Sequence, residues 1–245
     1  MLLIVAAGLL LDQTGMLPTA LRAPLEALVA DLTGAPAARP PPGIPDVARD
    51  AGPAPDMDQA ATLLERIPVR AERASGYERD DWPHWGDADG NCLNTREEVL
   101  VAESLVPATL TRDGCGVRQG RWRDPYTGRE HTDPRDVDID HVVALQEAHQ
   151  SGGWAWDRDR RTAFANDLSD PRSLTVSASG VNREKGARGP EDWLPPEPAL
   201  RCRFVADWIA VKARWDLAMD AAEHAAASDL VAACGGGANA RTASR

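Results

Sequence analysis

Asp140 and His141 stand side by side at the end of an alternating segment, Val137-Asp-Ile-Asp-His141. On an extended strand, neighbouring side chains point to opposite faces. One of the two can then bind a metal while the other faces a substrate. A neutral imidazole is also suited to taking a proton near pH 7. Taken alone an Asp-His pair says little, since most are structural. The next segments of the chain give it weight: Phe164-Ala-Asn-Asp-Leu168, then Leu174-Thr-Val176, then Asn182-Arg-Glu-Lys-Gly186. The order is a strand, a loop carrying Asn166, a strand, and a helix carrying Asn182 and Lys185. Lys185 is one of only two lysines, with Lys212, among 27 basic residues.

The elements that must position these residues are legible from periodicity. Val137 and Ile139 alternate with Asp136, Asp138 and Asp140, which predicts a half-buried strand. Val142 to His149 runs largely apolar into the turn Ser151-Gly152-Gly153. Leu174 to Ser177 predicts a second strand, and Val181 to Lys185 a helix stopped by Gly186. Ala60 to Ile67 predicts a helix ended by Pro68. Thr95 to Ser104 predicts another, with Thr95 as its cap and Glu98 at the third position, a capping-box pattern. Cys202 to Leu217 places Phe204, Trp208, Val211 and Trp215 at helical spacing, the stripe of a helix packed on a core. Most of the eight tryptophans are expected in the core, given the apolar area each ring buries.

Met1 to Leu11 is an unbroken apolar or small run, too short for a spanning helix, which needs roughly 20 residues. It fits the core of a signal peptide, although no charged residue precedes it. Residues 1–34 are therefore expected to form a signal- or anchor-like segment. A Pro-rich linker comes next over 35–58, then a folded domain over 59–234, and a Gly/Ala/Ser tail over 235–245 expected to be flexible. Four cysteines, Cys92, Cys115, Cys202 and Cys234, fit a disulfide framework in an oxidising compartment. Three pairings are possible. The local one, Cys92 with Cys115 and Cys202 with Cys234, closes the short loops and is the one expected. The expected location is therefore secreted, or anchored at the outer face of a membrane. Membrane contact is expected only through the N-terminal segment if it stays uncleaved.

The motif series resembles the HNH endonuclease or ββα-metal (His-Me finger) pattern, in the variant where Asn replaces the last His. More closely, the body resembles the secreted HNH-family nucleases of actinobacteria, grouped with DUF1524-type proteins. The resemblance runs from about Tyr77 to Cys234. It rests on Gly76-Tyr-Glu-Arg79, Asn91-Cys-Leu-Asn-Thr-Arg96, the Gly120 to Gly128 stretch, Asp140-His141, Ser151-Gly152, Phe164 to Leu168, Asn182 to Gly186, Trp193-Leu-Pro-Pro196 and Cys202. It departs from the family at Ala144, where a Pro is usual. The resemblance implies an α+β fold: a small ββα-metal core, within 118–188, surrounded by helices and stapled by disulfides. It implies hydrolysis of phosphodiester bonds in DNA, with RNA left open. His141 is then the general base, and Asp140 and Asn182 hold a divalent metal. Asn166 holds the loop and the His, Lys185 sits near the phosphate, and Arg183 and Arg188 contact the nucleic-acid backbone. Oxygen ligands suit Mg²⁺, or Mn²⁺, over Zn²⁺. Glu147 and Asp138 are weaker candidates, for which surface or capping roles are favoured. No strong sequence preference and no stable protein partner is implied.

The net charge of −11 would argue against a phosphate-rich partner, since nucleic-acid binding usually leaves a basic footprint. That excess is unevenly spread. Residues 118–188 carry 12 basic and 12 acidic side chains, so the remainder of the chain carries the whole deficit. A nucleic-acid substrate is therefore not excluded, and salt-sensitive, transient contact is expected. The composition excludes collagen, coiled coil and a multi-span membrane protein. No P-loop, G-x-G-x-x-G or nucleophile-elbow motif is present. Two rival readings remain: a secreted domain that binds nucleic acid or a surface partner without cutting, and a hydrolase of another phosphoester.

Overall fold

The computed structural model describes residues 56–242. The predicted signal-like segment 1–34 and nearly all of the Pro-rich linker lie outside the described residues. Helix α1, Met57–Leu64, starts earlier than its apolar pattern suggests, because Asp56 caps it by accepting from Gln59 N at 2.9 Å. It ends at Leu64, short of the expected Ile67, while Pro68 bars any extension beyond that point. Helix α2, Thr95–Glu103, is capped by Asn94, whose side chain accepts from Glu97 N at 3.1 Å. The cap is thus one residue earlier than expected. Thr95 is already the first helical residue, and its hydroxyl faces Gly86 O and Asn166 Oδ1 instead of the helix amides.

Four short strands come next, paired antiparallel in twos: β1 (Thr109–Leu110) with β2 (Val117–Gln119), and β3 (Trp122–Arg123) with β4 (Glu130–His131). Strand β5, Val137–His141, then precedes helix α3 (Leu145–Gln150) and helix α4 (Arg158–Ala165). Strand β6, Leu174–Ala178, returns antiparallel to β5, with Val137 opposite Ala178 and His141 opposite Leu174. It runs directly into helix α5, Ser179–Lys185, which stops at Gly186, whose φ of +59° suits glycine. Helices α6 (Arg201–Arg214) and α7 (Ala221–Thr242) complete the chain. The last of these continues through Gly235 to Thr242, a stretch whose composition reads as a tail.

The alternation of β5 and β6 makes a two-faced ribbon. Val137, Ile139, Leu174 and Val176 lie in a small core with Leu100 and Trp122. Asp138, Asp140, Thr175 and Ser177 share the opposite, polar face. A larger core holds Trp82, Phe164, Phe204 and Trp208 between α1, α3, α4, α6 and α7. Buried Glu103 of α2 ties the ribbon in place, accepting from Val176 N at 2.8 Å. Trp82, Trp122, Trp193 and Trp208 are buried as expected, while Trp154 is exposed. The fold is α+β, mixed helix with small sheets. Both disulfides pair locally as expected, Cys92–Cys115 and Cys202–Cys234, with Cα–Cα distances of 4.9 and 5.7 Å.

Candidate active site

His141 ends β5 on the ribbon's apolar face and is buried, with 7% of its surface exposed. Its Nε2 lies 2.9 Å from Ala165 O at the end of α4. A carbonyl oxygen can only accept, so Nε2 carries the proton and Nδ1 carries the lone pair. Nδ1 has no hydrogen-bond partner among the described residues. The ring lies between Phe164, stacked at 6.4 Å between centroids, and Trp85 at 5.7 Å. Burial pushes the imidazole pKa down to about 3, further lowered by nearby Lys185. The ring is therefore neutral across the physiological range.

Trp85 adopts a φ of +62°, rare for a bulky residue. What pins it there is Asn166. Its Oδ1 accepts from Gly86 N at 2.9 Å and Thr95 Oγ1 at 2.8 Å, and its Nδ2 donates to Pro83 O and Thr162 O, both at 2.8 Å. Asn166 thus holds the Trp85 loop, and none of its hydrogen bonds among the described residues goes to His141. It acts on the ring indirectly, through the Trp85 loop and through its neighbour Ala165.

On the other face, Asp140 and Lys185 are buried together. Lys185 Nζ donates to Asp140 Oδ1 at 2.9 Å and to His141 O at 3.0 Å. Tyr126 OH donates to Asp140 Oδ2 at 2.6 Å. Burial raises the Asp140 carboxyl pKa against the opposing pull of Lys185 and Tyr126. Burial, with Asp140 beside it, holds the Tyr126 phenol well above its usual value. Asn182, one turn before Lys185, has its Nδ2 3.5 Å from Asp138 Oδ2, and its Oδ1 accepts no bond among the described residues. The structure therefore brings Asp140, Lys185 and the His141 backbone together, and sets Asn182 beside Asp138. Arg188 Nε donates to Lys185 O at 3.2 Å, and Arg183 is exposed.

Residues 108–228 match the family of GmrSD restriction endonucleases, C-terminal domain. An uncharacterized secreted protein of Arthroderma benhamiae is 40% identical over 182 residues, covering 74% of this chain and 87% of the relative. The chain belongs to that protein's family. No solved structure matches. The secreted relative and the two disulfides agree on location, and the protein is secreted. The domain match also links it to nucleases at the level of family.

Two parts of the site escape sequence reasoning. Tyr126 lies in the Gly120 to Gly128 stretch, yet nothing local announces its bond to a residue 14 positions later. Trp85 sits far before the motif series and reaches His141 only through the fold. Glu147 is neither a surface nor a capping residue: it is buried and pairs with Lys212 at 2.7 Å.

Proposed function

We propose that this secreted protein is a metal-dependent endonuclease of HNH type that hydrolyses phosphodiester bonds in DNA, with RNA left open. The observation that carries the reading is His141, a neutral imidazole whose Nε2 is tied to Ala165 O and whose Nδ1 is open. The step uses that tautomer, and the negative charge of a bound phosphate would raise the imidazole pKa from its low buried value toward the range a general base needs. A water gives its proton to Nδ1 as its oxygen bonds to phosphorus. The P–O3′ or P–O5′ bond then breaks, and the departing oxygen takes a proton from a solvent water. The HNH resemblance favours loss of the 3′-oxygen, leaving 5′-phosphate and 3′-hydroxyl ends.

The donor chemistry fits a hard divalent ion such as Mg²⁺. Asp140 and Asn182 are the proposed ligands, on adjoining elements, and the Asn182 Oδ1 is open. Both Asp140 oxygens already hold one hydrogen bond each, so an ion would share this carboxylate with Lys185. Asp138 lies beside Asn182 and is placed to assist. When bound, the ion would supply charge neutralisation at the phosphate and the leaving oxygen. This chain's own contribution is a fixed base on one face of β5 and a carboxylate held by Lys185 and Tyr126 on the other. Arg183 on α5 and Arg188 just past its end are the proposed contacts to the nucleic-acid backbone.

The test is conversion of supercoiled plasmid to nicked and linear forms by purified protein with Mg²⁺ or Mn²⁺. Cleavage stopped by chelator and weakened in Asn182→Ala supports the proposal. Absence of cleavage with either ion would overturn it. The closure of Asp140 and Lys185 upon each other favours one rival, a nucleic-acid-binding domain without turnover. Binding of DNA without cleavage in the same assay would establish that rival.

A further inference from the structure

Twelve residues running into the start of α2 repeat oxygen-bearing side chains at a spacing unrelated to the candidate active site. Asp87, Asp89, Asn91, Leu93, Thr95 and Glu98 occupy positions 1, 3, 5, 7, 9 and 12 of this stretch. That is the ligand spacing of a calcium loop, in which position 7 contributes its carbonyl and position 12 a glutamate. The usual glycine of position 6 is here Cys92. What that position needs is a positive φ, and Cys92 has φ +79°. The disulfide to Cys115 holds it there.

The backbone is already wound around these side chains. Asp87 Oδ1 accepts from Gly90 N at 2.9 Å, and its Oδ2 accepts from Cys92 N at 3.0 Å. Asn91 Oδ1 accepts from Leu93 N at 2.7 Å. Winding alone does not make a site. The pointer to a cation is Glu98, a carboxylate with only 7% of its surface exposed. Its Oε1 takes one 3.2 Å bond, from Asn91 Nδ2. Its Oε2 has no hydrogen bond or ion pair among the described residues. No Lys, Arg or His pairs with Asp87, Asp89 or Glu98 there either. Burial raises the Glu98 pKa, with the Asp89 and Asp87 charges adding to it. Leu93 is buried too, and its carbonyl accepts no hydrogen bond from any described residue.

A buried carboxylate with two more carboxylates close by has no positive charge beside it among the described residues. At present the Asn91 amide stands in for it, donating to Asp89 Oδ2 at 2.9 Å and to Glu98 Oε1 at 3.2 Å. The carboxylate trio already closed to within 4.8 Å, Glu72, Glu147 and Glu223, has its cation in Lys212. The 87–98 trio is wider and would draw in around an ion as Asn91 turns its oxygen inward.

We propose that residues 87–98 bind one Ca²⁺, through Asp87, Asp89, Asn91, the Leu93 carbonyl and Glu98. All the donors are oxygens, which a large, hard ion with flexible coordination accepts. The site is separate from the proposed catalytic metal and does not depend on the nuclease reading. It is nonetheless joined to His141. Thr95, at position 9, bonds Gly86 and Asn166, so an ordered loop would brace the bracket that holds Trp85 and Ala165 against the imidazole.

The test uses the full, disulfide-bonded protein, stripped of metal, with no DNA and no Mg²⁺. CaCl₂ is titrated by calorimetry and by thermal unfolding, and Tb³⁺ by luminescence excited through tryptophan, Trp85 being the nearest in sequence. The expected result is one ion per chain, with a midpoint of about 10⁻⁴ to 10⁻³ M, as in extracellular calcium modules, and a Tm that rises with Ca²⁺. Glu98→Gln, and exposed Asp89→Asn in case the buried change disturbs folding, should each weaken the midpoint by at least about tenfold. Asn182→Ala should leave it unchanged. No saturable binding up to roughly 10 mM Ca²⁺, well beyond the weak end of such sites, would overturn the proposal. So would binding that both loop variants retain, or binding that Asn182→Ala abolishes.

Discussion

Lys185 is fully buried, and the carboxylate beside it is its only ion-pair partner among the described residues. A buried pair adds little net stability over an apolar one, but removing one partner strands the other charge. Lys185→Met should therefore lower stability by about 3–5 kcal/mol, read as a fall in the urea midpoint. Tyr126→Phe removes only one bond to a charged acceptor, so its cost should be about 1.5–3 kcal/mol. A Lys185→Met protein as stable as wild type would mean that Asp140 is uncharged in the fold. At this scale the sequence was partly legible. Asp140, His141, Asn182 and Lys185 stand out by type and order. Their true neighbours do not, because Tyr126, Trp85 and Ala165 reach them through turns and helix ends that carry no spacing signal.

At the scale of elements, the β5–β6 ribbon and the helix after it follow from period-two alternation and the Gly186 stop. The ribbon's two faces sort the chemistry: His141 goes to the apolar side and Asp140 to the polar one. What periodicity could not place was the start of each helix, since a cap one residue away leaves the pattern unchanged. Asn94, and not Thr95, caps α2: its Oδ1 accepts from Glu97 N, while the Thr95 hydroxyl is turned to the tertiary contact with Asn166. Ala144 shows the reverse case. It leads into α3 with φ −57° and ψ 151°, which a proline accepts without strain, and its N–H makes no backbone bond outside helices and strands. Ala144→Pro should raise stability by about 0.4–1 kcal/mol by restricting the unfolded chain. A lowered Tm for that variant would show that the β5 exit needs the freedom alanine gives it.

Over the whole molecule, the second lysine anchors the helices. Lys212 Nζ of α6 donates to Glu147 Oε1 of α3 at 2.7 Å, to Ser151 Oγ at 2.8 Å and to Glu223 Oε2 of α7 at 2.6 Å. Trp208 Nε1 donates to Glu223 Oε1 at 2.6 Å, and Glu72 adds a third carboxylate at the rim. Burial raises the Glu223 pKa to about 8, with Lys212 opposing and Glu147 reinforcing. Burial, with Glu147, Asp220 and Glu191 nearby, raises Glu72 to about 7. A carboxyl raised in the fold binds its proton more tightly there than in the unfolded chain. Its stabilisation is present below the ordinary carboxyl range and is lost as pH rises through the folded value. Tm should accordingly fall between about pH 5 and 9, and Glu223→Gln should flatten that fall. An unchanged pH dependence in the variant would locate the titrating group elsewhere. Nothing in the sequence foretold this network, since its members are spread over three helices and two non-helical positions and no motif joins them.

The role proposed for His141 is that of the base in a phosphodiester hydrolase. Its direct measurement is the single-turnover rate of plasmid nicking with Mg²⁺ by wild type and by His141→Ala, both shown to be folded by the same thermal transition. The predicted result is a loss of about 10²- to 10⁴-fold, the range for removing a general base. Equal rates in the two proteins would contradict it.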